Sequence, residues 1–118
     1  MSYRYDICAI SDALTDYILT VEDGEIRGLG LHRGHSFAVD ARVRDALAER
    51  FNRDPEAVIT CAGGSPANTV HGASRLNLRC AFIGCVGNDD NGYRYVKALR
   101  DNDIDTFVSI TEGRSGIA

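Results

Sequence analysis

The chain has 118 residues, enough for one domain with an ordinary core. Hydrophobic residues make up 44% and charged residues 25%, and the net charge of -4 comes from interspersed signs. This charge excludes a basic nucleic-acid-binding patch, and no apolar run approaches the length of a membrane span.

In chain order, YDICAI (5–10) predicts a buried strand and YILTV (17–21) a second, after the link 11–16. EIRGLGL (25–31) and HSFAV (35–39) are short and rich in Gly and polar residues, and they predict strands outside the main core. DARVRDALAERFN (40–52) predicts an amphipathic helix with Asp40 as N-cap and Val43, Leu47 and Phe51 recurring every four residues. AVITCAGG (57–64) reads as a strand entering a double glycine. SPANTVHGASRLN follows as a helix, with Ser65 expected at N-cap, Pro66 at N1 and Asn77 at C′. RCAFIGCVG (79–87) is an apolar strand, a helix lies within 89–102, and DTFVSIT (105–111) is a further strand. From residue 57 onward strands and helices alternate, the pattern of a parallel α/β sheet.

Cys8, Cys61, Cys80 and Cys85 form no CxxC pair, and three lie in apolar runs where a thiol acts as a small buried hydrophobe. Reduced cysteines and an opening MSYRYDIC without a signal-peptide pattern point to the cytoplasm. His32 and His35 lack a third ligand, so no metal site is expected there, and His71 reads as a packed or surface residue.

Ligands of open α/β sheets sit outside the carboxyl ends of the strands. Two polar loops fall there: SDALTD (11–16) and GGSPAN (63–68). Glycines let a ligand approach the backbone, Asn68 can donate and accept, and Asp16 offers two acceptors that match a vicinal diol. That set suits a polyhydroxyl ligand such as a sugar or nucleoside. The residues alone leave the plainer reading open: the double glycine as a tight turn and Asp16 as a solvated acid. GGSPAN has neither the G-x-G-x-x-G spacing nor the Gly-Lys-Ser/Thr of a P-loop.

The stretches CAGGSPANTVHGASRL and CAFIGCVGNDDNGYRYVKALRDNDID resemble the first signature of the ribokinase-like (PfkB) carbohydrate kinase family. The front, YDICAISDALTDYILTV through SFAVD, resembles its adenosine-kinase-like branch. The resemblance implies a Rossmann-like, mostly parallel sheet with flanking helices and a small β-sheet lid, to which residues 17–39 contribute. Residues 1–118 would be the N-terminal part of such a domain, which transfers the γ-phosphoryl of ATP to a hydroxymethyl group. Carried over by motif, Gly63, Gly64 and Asn68 would contact sugar hydroxyls and Asp16 would accept from the diol. Phe37 would pack against the far side of the substrate, and Gly116 would match a glycine beside it. The family's first loop reads Gly-Asn where this chain has Ser11-Asp12, so Asp12 would bring a second negative charge to the site.

The family's second signature, Gly-Ala-Gly-Asp, supplies the general base and an anion hole, and no such stretch occurs here. The resemblance therefore implies ATP and Mg2+ as cofactors of the complete enzyme, with neither held tightly by these residues and no transfer by this chain alone. The expected partner is a small-molecule sugar or nucleoside, not nucleic acid or membrane, and a homodimer through the lid is the candidate assembly. The rival expectation is a sugar- or nucleoside-binding module without chemistry.

Overall fold

The structure, a computed structural model, describes residues 3–118. The chain divides into two units: residues 1–17 with 60–118, and residues 18–59.

The first unit is built on a parallel sheet. Strand β1 (Ile7–Ile10), β4 (Cys80–Gly87) and β5 (Ile104–Thr111) lie in the order β1-β4-β5, with Ile7 opposite Cys80 and Cys80 opposite Ile104. Two helices, α3 (Ser65–Ser74) and α4 (Asp90–Arg100), supply the crossovers that parallel strands require. Ala67, Val70 and Ala73 of α3 and Tyr95 and Leu99 of α4 bury with Phe82, Val86 and Ile104 of the sheet in one core. The alternation predicted beyond residue 57 is thus observed, except that the strand at Val58–Gly63 joins a second sheet and not this one. An Asp6–Arg79 pair staples the start of β1 to the start of β4: Arg79 N donates to Asp6 Oδ2 at 2.8 Å and Arg79 Nη2 to Oδ1 at 3.1 Å. The guanidinium holds the Asp6 carboxyl below its ordinary range.

The opposite face of this sheet is largely exposed among the described residues, although Ala81 on it is buried. Residues of one parity along paired parallel strands share a face, so Ile10, Ile83 and Phe107 oppose the core set, and all three are exposed. This corrects the expectation for the thiols. Cys80 faces the core and is buried, whereas Cys8, Cys61 and Cys85 are exposed; all four are free.

A second sheet has the order β3-β2-β6, from β2 (Leu14–Leu19), β3 (Val58–Gly63) and β6 (Gly116–Ile117). β2 and β6 run parallel, Leu14 opposite Gly116 and Thr15 opposite Ile117.

Residues 18–59 depart from the sequence reading. No strand forms at 25–31 or 35–39; instead α1 spans Asp23–Gly28 and residues 29–40 are irregular. The cause is local. Glu22 and Glu25 form a capping box at the helix start, and Arg50 Nε donates to Glu25 Oε1 at 3.0 Å. Helix α2 (Ala41–Arg53) forms as predicted, with Val43 N donating to the Asp40 cap at 2.9 Å. Among the described residues, no helix is long and apolar enough to cross a membrane.

Candidate functional site

The double glycine is where β3 turns into α3. Gly64, not Ser65, is the N-cap of α3, with φ of 92°, a left-handed conformation that glycine adopts without a Cβ penalty. Ser65 is therefore the first helical residue and Pro66 the second, one step later than expected. A side-chain cap is absent; the polar side chain that leads Ncap preferences gives way to backbone freedom, because the turn from β3 demands positive φ. Asn68 N donates to Gly64 O at 3.0 Å, which closes the first turn and places Asn68 one turn into the helix. At the far end Asn77 takes a left-handed backbone, φ of 62°, and Leu78 N returns to Ala73 O at 3.2 Å, the helix stop expected of Asn77.

Gly63 and Gly64 each face the link and strand that follow β1. A Cβ built on Gly63 would overlap the Asp16 carboxylate, so that carboxylate lies directly against the backbone at the end of β3. A Cβ on Gly64 would lie 3.7 Å from Asp12 O. Asp16 is half-buried, and Asp12 and Asn68 are exposed. Beneath them Tyr95, 2% exposed, donates its hydroxyl to Gly63 O at 3.2 Å. Burial, with the Asp16 charge adding to it, pushes the Tyr95 phenol up to about 12. Gly116 is exposed beside β2, where a Cβ would come within 2.6 Å of Leu14 Cδ2.

The structure therefore brings Asp16 to Gly63, Asp12 to Gly64, Asn68 to Gly64 through its backbone, and Gly116 to β2. Phe37 belongs to the other unit, where its ring stacks on His35 with centroids 5.9 Å apart and lies 6.3 Å from His32. The Asn68 carboxamide makes no hydrogen bond among the described residues. It and the Asp16 carboxylate are open polar groups beside a backbone stripped of Cβ atoms, a surface able to exchange hydrogen bonds with neighbouring hydroxyls. His71 Nε2, further along α3, is enclosed without a hydrogen-bond partner among the described residues.

The arrangement that sequence reasoning missed is at the start of α4. Asp89 caps the helix through Gly92 N at 2.8 Å and also holds Ser115, whose hydroxyl donates to Asp89 Oδ1 at 2.6 Å. These bonds keep the Asp89 carboxyl below its ordinary range. The acid followed by glycine three residues on was a visible capping pattern, but its distant serine partner was not.

Residues 38–118 match the model of the pfkB family carbohydrate kinases. The chain belongs to this family. Among curated relatives it is 40% identical over 75 residues to a 5-dehydro-2-deoxygluconokinase of Listeria monocytogenes, covering 59% of this chain and 23% of that kinase. It is 33% identical over 69 residues to an aminoimidazole riboside kinase of Salmonella typhimurium, covering 58% of this chain and 22% of that enzyme. Among solved structures, an adenosine kinase of Schistosoma mansoni in complex with 2-fluoroadenosine superposes with a TM-score of 0.80 at 21% identity, over 95% of this chain and 33% of that one. An Anopheles gambiae adenosine kinase superposes with a TM-score of 0.82 at 18% identity, over 93% and 33%. These likenesses establish the ribokinase-like fold. The chain matches less than a quarter of the length of these two curated relatives and about a third of these two solved structures.

Proposed function

We propose that the chain forms the hydroxyl-binding part of the acceptor site in a sugar or nucleoside kinase of the pfkB family. The observation that carries this reading is the Asp16 carboxylate set against Gly63 at the N-terminal end of α3, one helical turn from Asn68. In this proposal Asp16 accepts from two adjacent hydroxyls of the acceptor, and the Asn68 carboxamide both donates to and accepts from a third. Gly63 and Gly64 let the sugar ring approach the main chain, and Gly116 leaves β6 equally bare. The Asp12 main-chain carbonyl lies near Gly64, and in this proposal its exposed carboxylate would favour hydroxyl donors over anionic groups. Phe37 enters the proposal from the resemblance alone.

ATP would supply the transferred phosphoryl in such a kinase, and Mg2+ would neutralise its charge. The donor set for them does not fit these residues. The chain has no Gly-Ala-Gly-Asp stretch, and no group of three or more metal-ligating side chains occurs among the described residues. No residue here is assigned as general base. Positioning and electrostatic stabilisation provide most of the catalysis in phosphoryl transfer, so the chain alone binds acceptor and transfers nothing.

Calorimetric titration of the chain with adenosine, D-ribose and 5-dehydro-2-deoxygluconate, alongside an ATP-dependent transfer assay, tests both halves. Saturable binding of at least one compound without turnover is expected. Binding of none would sink the acceptor-site reading, and turnover abolished by Asp16→Ala would sink the claim of inactivity.

A further inference from the structure

The first turn of α4 reaches the strand that carries Asp16 by two routes. In the first, Asp89 Oδ1 accepts from Gly92 N at 2.8 Å and from Ser115 Oγ at 2.6 Å, while Oδ2 accepts from Ser115 N at 2.8 Å. The Ser115 hydroxyl also accepts from Gly87 N at 3.0 Å, so a serine only 9% exposed is satisfied as donor and acceptor. A Cβ on Gly92 would stand 2.8 Å from Ser115 Oγ, so the glycine is what allows this approach. Ser115 leads directly into β6, which pairs with β2. The last bonds of that ladder are Ala118 N to Thr15 O and Tyr17 N to Ala118 O, both 2.9 Å, and they bracket Asp16 from either side. In the second route, the Tyr17 hydroxyl donates to Asn91 Oδ1 at 2.6 Å.

A helix cap needs one carboxylate oxygen on one backbone N–H. Asp89 meets that need with Gly92 and directs two further bonds at Ser115, which contribute nothing to capping. We infer that Asp89, supported by Asn91, is a positioning residue for Asp16: it latches Ser115 so that β6 holds β2 at the height where the Asp16 carboxylate lies against Gly63. The inference rests on the acceptor-site reading for its functional meaning, while the latch itself stands on the hydrogen bonds alone.

Two variants separate the latch from the cap. Ser115→Ala removes the hydroxyl and leaves the cap whole. Asp89→Asn keeps an amide oxygen for Gly92 N, but its NH2 cannot accept from Ser115 N. Native-state hydrogen exchange of the 118-residue chain, followed residue by residue, reads the result. In both variants the Tyr17 and Ala118 amides should exchange at least about tenfold faster, while Phe82 and Val86 in β4 stay within about twofold of wild type. Any of the three compounds above that binds wild type should bind both variants at least about fivefold more weakly. Unchanged Tyr17 and Ala118 amides in both variants would overturn the latch, as would an equal loss of protection along the whole chain. Undiminished affinity in variants whose strands have loosened would overturn the positioning role. If those two amides loosen as expected and wild type binds none of the compounds, the latch is upheld and the acceptor-site reading alone fails.

Discussion

The buried apolar side chains among the described residues, from Ala13 to Ile104, all lie in the unit of residues 1–17 and 60–118, whereas α1 and α2 of residues 18–59 bury none. The first unit is organised by packing. Its helices are short, and α3 has only backbone capping, yet Val70 and Phe82 are wholly enclosed. The second unit is organised by local chemistry: a Glu22–Glu25 capping box, an Asp40 cap and an Arg50–Glu25 pair. Exposed ion pairs and caps contribute about 1 kcal/mol or less each, while one buried aromatic contributes several. The two regions should therefore respond to substitution on different scales.

The largest expected difference is between a truncation in the core of the first unit and one in the second unit. Phe82→Ala leaves a cavity in the shared core and should cost about 3–5 kcal/mol. Val43→Ala, at a half-buried position on α2, should cost less than about 1 kcal/mol. Denaturant unfolding of the two variants measures both, and similar losses would break the contrast.

Gly63→Ala comes next. Its Cβ has no space beside the Asp16 carboxylate, so that side chain must swing away from the end of β3, at about 1 kcal/mol. The same variant should weaken acceptor binding, whereas Gly24→Ala in the second unit, open around its Cβ, should leave binding unchanged.

Tyr95 carries the comparison into pH. Its phenol is raised from 10.0 to about 12 by burial first and by the Asp16 charge second. The folded value lies above the ordinary one, so the stability it contributes is whole below pH 10 and is lost as the pH rises through about 12. Asp16→Asn should lower the Tyr95 midpoint in an ultraviolet titration. No change in that midpoint would mean that the Asp16 charge does not act on the Tyr95 hydroxyl.

The smallest effects are at the helix starts. Asp40→Ala removes a cap bond to Val43 N and should cost about 1 kcal/mol, seen as faster exchange confined to the first turns of α2. Ser65→Ala should cost less than about 0.5 kcal/mol, because Gly64 holds the cap position. A larger loss at Ser65 would restore it as the cap.

What could be read from the sequence follows the same division. Alternating apolar runs after residue 57 are driven by burial, and burial leaves a periodic trace, so β3, α3, β4, α4 and β5 were legible in order. The Asp89 cap region was legible as a helix start, but its bond to Ser115 spans 26 residues and leaves no local pattern. EIRGLGL has alternating apolar residues and two glycines, which predicted a strand. The capping box one residue upstream made 23–28 helical instead, since no sheet partner there rewards extension. Cys8 and Cys85 were expected inside because they lie in apolar runs, but both sit on the largely exposed face of the sheet. In the site, Gly63, Gly64 and Asn68 were placed together by a short contiguous motif. Asp16 joined them through the resemblance and a loop expected at 11–16, but it lies inside β2 (Leu14–Leu19), whose start the sequence reading put at Tyr17; Phe37 is in the other unit.

Asn68→Ala, measured for acceptor affinity and thermal stability together, tests the central claim most directly. If Asn68 holds a substrate hydroxyl, the variant should keep the wild-type melting temperature within about 2 °C. It should bind the preferred sugar or nucleoside about ten- to a hundredfold more weakly, the loss of a hydrogen bond of about 1.5–3 kcal/mol. Wild-type affinity in this variant would contradict the account and leave the double glycine as a turn between a strand and a helix.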